Sequence, residues 1–421
     1  MSKIKQIFAR EILNSKGHPT IETTVILSDG STGISSSPTG TSVGKFEAVD
    51  MRDGDEKRFQ GQGVLNAIKN ITQIISPSLI GLEVERQQDI DNKLIELDGT
   101  PNKARLGANA TLSVSMAVAK ASAKSSVLPL FLYLREFIKK DNLVLKIPTP
   151  AFNVINGGKH AENLDFQEFL VFAASSKSYD ESLMMASDIY FSLRKIISLN
   201  NLSTLIGDEG GFSPKVSTNQ DAFGLLKKAI DAINLQIGFD VFLGMDVAAN
   251  SIFSQGSYHI KDKSISLSSE DLIGFYQGLN KDYHLLYIED GLADDDWDGW
   301  PKLCQALSQE TLIVGDDLTV TNPFRLQTAI SKKAITGIII KPNQIGTVME
   351  ALAVVEMARQ SNLKIIVSHR SAETNDDFIA DFAVAVSADY VKFGAPVRGE
   401  RVSKYNRLLQ IERQIKSLET K

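Results

Sequence analysis

The chain has 421 residues, 43% hydrophobic and 23% charged, an ordinary globular composition on a length that exceeds one core, so two domains are expected. Its 45 basic and 51 acidic residues leave a net charge of −6 without a dense basic block, which argues against nucleic acid or an anionic membrane as the main partner. One cysteine, Cys304, excludes an internal disulfide framework and fits a reducing compartment. Residues 1–8 lack the apolar core of a secretory leader, and no apolar run reaches the ~18 residues of a spanning helix, so a cytoplasmic protein is expected.

In chain order, Ile21, Thr23, Val25 and Leu27 alternate and run into Asp29-Gly30, which predicts a strand entering a hairpin turn. Residues 33–44 are small and hydroxylated (Ser35, Ser36, Ser37, Pro38, Thr39, Gly40, Thr41, Ser42). Composition alone reads as a surface linker; the sharper reading is a lid whose hydroxyls reach a ligand. Ala110, Val114, Ala117, Val118 and Ala121 form the stripe of a closely packed helix. Polar residues 139–142 and then Ile147-Pro148-Thr149-Pro150 break the pattern and place a domain boundary at about residue 140. The expected units are 1–140, a smaller α+β capping domain, and 141–421, the catalytic domain. Beyond the boundary, Asn156-Gly157-Gly158-Lys159-His160 is a glycine-flexed loop carrying an imidazole, and Glu168 sits between aromatics. Gly207-Asp208-Glu209-Gly210-Gly211 is either a solvated acidic turn or a place where backbone and ligand approach closely. Residues 220–233 have helical spacing.

From residue 244 onward, short apolar runs repeatedly stop on a reactive side chain. The stops are Asp246, Glu289, Asp316, Lys341, His369 and Lys392, spaced 23 to 43 residues apart, the period of successive βα units. Apolar runs without alternation indicate strands buried on both faces. Charges at their exits point into the mouth of the sheet, where a TIM-type (β/α)8 barrel keeps its chemistry.

Asp246, Glu289 and Asp316 on consecutive strand ends repel one another unless a cation sits between them, and an all-oxygen set suits Mg2+ before Ca2+. Lys341 and Lys392 are expected opposite them around the rim, with a lowered pKa that makes a usable general base. Arg370 and Ser371, next to His369, are placed to clamp an anionic group such as phosphate. Together these groups describe proton abstraction next to a metal-bound carboxylate.

The chain resembles the enolase family over essentially its whole length. The motifs are Met51-Arg52-Asp53-Gly54-Asp55, Leu97-Asp98-Gly99-Thr100, Asn156-Gly157-Gly158, Gly207-Asp208-Glu209-Gly210-Gly211 and Ile288-Glu289-Asp290. Further on come Gly315-Asp316-Asp317-Leu318, Lys341-Pro342-Asn343-Gln344-Ile345-Gly346, Ser368-His369-Arg370-Ser371 and Lys404-Tyr405-Asn406. The resemblance implies an α+β domain followed by a barrel with an irregular ββαα start, Mg2+-dependent conversion of 2-phosphoglycerate to phosphoenolpyruvate, and a homodimer or larger homo-oligomer. It also implies that Asp246, Glu289 and Asp316 hold one Mg2+, and that Ser42 joins a second Mg2+ arriving with substrate. Lys341 would take the C2 proton, and Glu209, assisted by Glu168, would protonate the leaving hydroxyl. His160, Gln167, Glu168, His369, Arg370, Ser371 and Lys392 would position the substrate.

This sequence departs from the family inside several motifs: Asn14-Ser15-Lys16-Gly17-His18, the lid Thr39-Gly40-Thr41-Ser42-Val43-Gly44, Asn250-Ser251, Ala372, Phe393 and Gly399. Ala372 stands where the family has glycine, a costly exchange if that backbone needs a positive φ. Two enzymatic readings stay open: enolase activity proper, or the same chemistry on a different phospho- or phosphono-acid. A non-catalytic surface role is disfavoured by the retention of every chemical residue.

Overall fold

The computed structural model describes residues 2–40, 44–139, 143–161 and 164–419. Residues 140–142, where the domain boundary was expected, and Thr41, Ser42 and Val43 of the expected lid lie outside the described residues.

The chain opens with an antiparallel meander of β1 (Ile4–Leu13), β2 (Pro19–Leu27) and β3 (Thr32–Ser36). The β2–β3 turn is the Asp-Gly turn read from the sequence, with Gly30 at φ +88 and Asp29 Oδ1 accepting from the Ser31 amide at 2.8 Å. Ile21, Val25 and Leu27 are fully buried beneath the helix Ala108–Ser125, whose stripe of Ala110, Val114, Ala117, Val118 and Ala121 is also fully buried. Contact there is backbone to backbone: a Cβ on Gly33 would lie 2.0 Å from the Ala117 carbonyl oxygen.

The linker reading of residues 33–37 does not hold. Residues up to 36 belong to β3, and Ser35, Ser36 and Ser37 are buried. Their polarity is satisfied internally, since Ser35 Oγ donates to Asp376 Oδ2 at 2.7 Å and Ser36 Oγ shares a 2.7 Å bond with Thr374.

A closed eight-stranded barrel follows. Its strands are β4 (Thr149–Asn156), β5 (Glu168–Ala173), β6 (Val241–Asp246), β9 (Leu285–Glu289), β10 (Leu312–Gly315), β11 (Gly337–Ile340), β12 (Lys364–Ser368) and β13 (Tyr390–Lys392). A small hairpin of β7 (Phe253–Ser254) and β8 (Ser257–Tyr258) hangs outside it. The ring order is β10-β11-β12-β13-β4-β5-β6-β9. β5 runs antiparallel to both its neighbours, and the helices Tyr179–Leu199 and Asn219–Asp231 both fall between β5 and β6, which gives the ββαα start. Capping boxes at Ser178/Glu181, Thr218/Asp221 and Ser268/Asp271 fix three of the outer helices at their N-termini.

The missing alternation now has its cause. Ala151, Leu170, Phe172, Tyr287, Val314, Ile339 and Ile366 fill the barrel interior, while their chain neighbours pack under the helices. Both faces of each strand are buried, so both are apolar. Among the described residues, no helix is long and apolar enough to cross a membrane.

Candidate active site and cation site

Six strands deliver their last or next residue to one mouth: Asp246 from β6, Glu289 from β9, Asp316 after β10, Lys341 after β11, His369 after β12 and Lys392 from β13. β5 runs the other way, so its first residue, Glu168, reaches the same end and pairs in register with Asp246. The mouth holds a polar cavity of about 50 Å³ lined by His160, Gln167, Glu168, Glu209, Asp246, Asp316, Lys341, His369, Arg370, Ser371 and Lys392, among others. Glu289, fully buried, meets it through Lys392. The described residues thus gather every expected side chain; Ser42 lies outside them.

Asp246, Glu289 and Asp316 occupy three adjacent places in the ring. Lys392 Nζ bridges Asp246 Oδ2 at 3.0 Å and Glu289 Oε1 at 2.7 Å, with Glu168 Oε1 at 3.4 Å. Lys341 does not stand across from the acids as expected. Its strand is next to β10, and its ammonium pairs directly with Asp316. The expected lowering of the lysines is also reversed. Burial works to depress Lys341 and Lys392, but Asp316 beside the first and Asp246, Glu168 and Glu289 around the second hold both above the ordinary lysine value.

The acids carry more negative charge than these ammoniums neutralise. Burial, reinforced by Asp246, pushes the Glu289 carboxyl up to about 8, and burial with Asp317 and Asp316 holds Asp290 well above the carboxylate range. Asp316 is lowered because contact with Lys341 outweighs its own burial. Carboxylate oxygens of Asp290, Asp316 and Asp317 come within 4.8 Å of one another, as do ligand atoms of His160, Glu168 and Glu209. Crowded, dry oxygen donors with unbalanced charge fit a hard divalent cation.

Opposite Lys341 stands the acid wall. β5 lies four places from β11 in the ring of eight, so Glu168 and Lys341 face each other across the mouth. Glu209 is brought beside Glu168 by the 207–211 turn, where Gly210 has φ +91 and a Cβ would meet Val397 Cγ2 at 2.9 Å. The solvated-turn reading of Glu209 therefore fails, since its side chain is buried. Asn153 Nδ2 donates to Glu209 Oε2 at 3.1 Å, and His369 Nε2 lies 3.3 Å from Oε1. Arg401 donates to His369 Nδ1 at 2.9 Å, which leaves the proton of neutral His369 on Nε2, facing Glu209. Burial takes His369 down to about 3 and also lowers His160. Burial and the neighbouring Glu209 hold Glu168 well above the carboxylate range. Burial acts on Glu209 too, but His160, His369 and Arg401 bring it well below that range. The two carboxyls are thus pushed in opposite directions and titrate as a pair.

Several working residues were not read from the sequence. Asp290 accepts from the amides of Asp316 and Asp317 at 2.9 and 2.8 Å and so aims the β10 exit. Tyr287 donates to Glu289 Oε2, and Glu47 grips Arg370. Only Asp290 had a signal, its place inside Ile288-Glu289-Asp290.

Two of the departures from the family pattern, Ala372 and Phe393, are absorbed locally. Ala372 is not at positive φ and pairs with Thr39 through bonds of 2.9 and 3.0 Å, so the foreseen cost does not arise. Phe393 is buried against Tyr405, with ring centroids 5.8 Å apart. Asn250 and Ser251 do line the cavity, and Asn250 Nδ2 donates to Asp317 at 3.1 Å.

Comparison with known families agrees with this geometry. The family described as "Enolase, N-terminal domain" matches residues 4–134, and "Enolase, C-terminal TIM barrel domain" matches residues 144–420. With both domains matched in order along the chain, this protein belongs to the enolase family.

Proposed function

We propose that the protein catalyses the reversible dehydration of 2-phospho-D-glycerate to phosphoenolpyruvate and water, with two Mg2+ ions per site. The observation that carries this reading is the placement of Lys341 and the Glu168–Glu209 pair on opposite walls of one cavity, with the carboxylate cluster beside them. An anti elimination needs a base and an acid on the two faces of its substrate.

Asp246, Glu289 and Asp316 would hold the first Mg2+, and Ser42 would join the second. Bound Mg2+ supplies positive charge beside the substrate carboxylate, which acidifies the adjacent C2–H. Lys341 Nζ, as the free amine, takes that proton. What holds Lys341 protonated here is Asp316, so the base form requires Asp316 to be engaged elsewhere. The C3–O bond breaks as the hydroxyl takes a proton from Glu209, assisted by Glu168, and water leaves. His160, Gln167, His369, Arg370, Ser371 and Lys392 line the same cavity and position the substrate, with Arg370 and Ser371 on the phosphoryl group.

We place the reaction in the cytoplasm, on the evidence of a single cysteine. Self-association is supported by Met184, Phe191 and Leu199, each more than 60% exposed along the helix Tyr179–Leu199.

The roles are tested by following loss of C2 deuterium from labelled 2-phosphoglycerate into water. Glu209→Gln should keep this exchange while product formation falls by about 10² to 10⁴. Lys341→Ala should abolish both. Exchange that persists in Lys341→Ala would assign the base elsewhere.

A further inference from the structure

Glu47 has no part in the proposed chemistry, yet it occupies the group assigned to the phosphoryl. Its two carboxylate oxygens each accept from one arm of the Arg370 guanidinium, Oε2 from Nη1 at 2.8 Å and Oε1 from Nη2 at 3.2 Å. Oε1 also accepts from the Gly44 amide at 2.9 Å, so the carboxylate is held from its own side as well. The two side chains are only 4% and 5% exposed. They come from different domains and line the same cavity as Lys341 and Ser371. Arg370 is fixed in turn by Asn343 Oδ1 at 3.1 Å and, through its amide, by Glu373 Oε1 at 3.0 Å.

A forked, bidentate carboxylate is the arrangement that an incoming oxyanion makes with a guanidinium. The pair lines the same cavity as Ser371 and Lys341, so an anion bound there meets Arg370 with Glu47 already on it. Resting on the reading of Arg370 as the phosphoryl-binding group, we propose that Glu47 is a specificity-determining residue, a resident carboxylate that an incoming anion must displace from Arg370. A ligand carboxylate brings the same charge and fork geometry as Glu47, but Glu47 is tethered and present at high effective concentration, so the ligand gains nothing. A phosphoryl dianion brings a second charge and a third oxygen, and wins the exchange. Glu47 thereby tunes the site to dianionic phosphoryl groups over simple carboxylates.

Titration calorimetry of the full chain with inorganic phosphate tests this, with thermal melting as the check of folding. Glu47→Gln keeps the shape and one acceptor but removes the charge. It should bind phosphate about tenfold tighter than wild type, a modest return for removing one like charge in contact range, and should bind acetate measurably. Arg370→Gln should lose phosphate binding. Phosphate affinity that is unchanged or weaker in Glu47→Gln, while Arg370→Gln loses it, would overturn the displacement role and leave Arg370's role standing. Equal affinity in wild type and Arg370→Gln would instead remove the reading on which the inference rests. Wild type alone supplies an arm that needs no variant. Acetate in hundredfold excess should not displace phosphate, and displacement at equal concentrations would overturn the inference.

Discussion

At the scale of the residue, the site is a set of ion pairs poised for exchange. Lys341 and Lys392 are held above the ordinary lysine value by the carboxylates that touch them, and Glu289 is pushed up by burial and by Asp246 beside it. The charge expected from sequence was right in kind and wrong in its consequence, since the lysines' nearest neighbours are acids rather than cations. Asp290 is the residue that organises this wall, through bonds from the amides of Asp316 and Asp317. Asp290→Asn keeps one acceptor and turns the other oxygen into a donor facing an amide, so Asp316 must shift. We expect Mg2+ affinity without substrate to fall at least about tenfold by calorimetry, the usual cost of losing a group that orients a ligand. Unchanged affinity would show that Asp316 is aimed by other contacts.

Elements explain what was legible and what was not. Each of the six strands β6 and β9 to β13 ends its apolar run on a site residue, because a strand dry on both faces meets water only at its exit. Asp246, Glu289, Asp316, Lys341, His369 and Lys392 could therefore be picked out one by one. The turn carrying Glu209 was ambiguous, since nothing local tells whether an acid among glycines faces solvent or a buried wall. β3 does not look like a buried strand in the sequence because its serines are satisfied by Asp376 and Thr374 of the barrel domain, so a polar run is buried. Glu47 and Arg401 stayed silent for a related reason: each works on a partner distant in the chain or on another element. The tightest element contact is Gly33 on Ala117. Gly33→Ala should destabilise the protein by about 3 kcal/mol in denaturant melts, because a Cβ meets unyielding backbone. A change below about 0.5 kcal/mol would mean that β3 and the helix Ala108–Ser125 separate more easily than their packing implies.

At the scale of the whole molecule, the N-terminal domain is part of the site. It supplies Glu47 to Arg370, and it is fastened to the barrel by Lys103–Glu350 at 2.8 Å and by buried Asp91, which accepts from the Met349 amide at 2.9 Å. Burial raises Asp91 to about 7, against hydrogen bonds from Met349, Ser115 and Gln87 that lower it. The folded state thus binds a proton that the unfolded chain releases near 3.8. The protonated form contributes stability fully below about pH 4, and that contribution is lost as pH rises to about 7. Asp91→Asn should gain on wild type across that window by roughly 4 kcal/mol in parallel melts, at about 1.4 kcal/mol per unit. Parallel stability curves for the two proteins would show that Asp91 does not titrate there.

The central claim is that this site eliminates water from 2-phosphoglycerate with Mg2+. The most direct test is phosphoenolpyruvate formation by purified protein, with Mg2+ and then with chelator. We predict turnover of about 10 s⁻¹ or more that disappears on chelation and returns with Mg2+. Turnover many orders of magnitude lower, in protein that still binds Mg2+, would contradict the claim and direct the search to other phospho- or phosphono-acids.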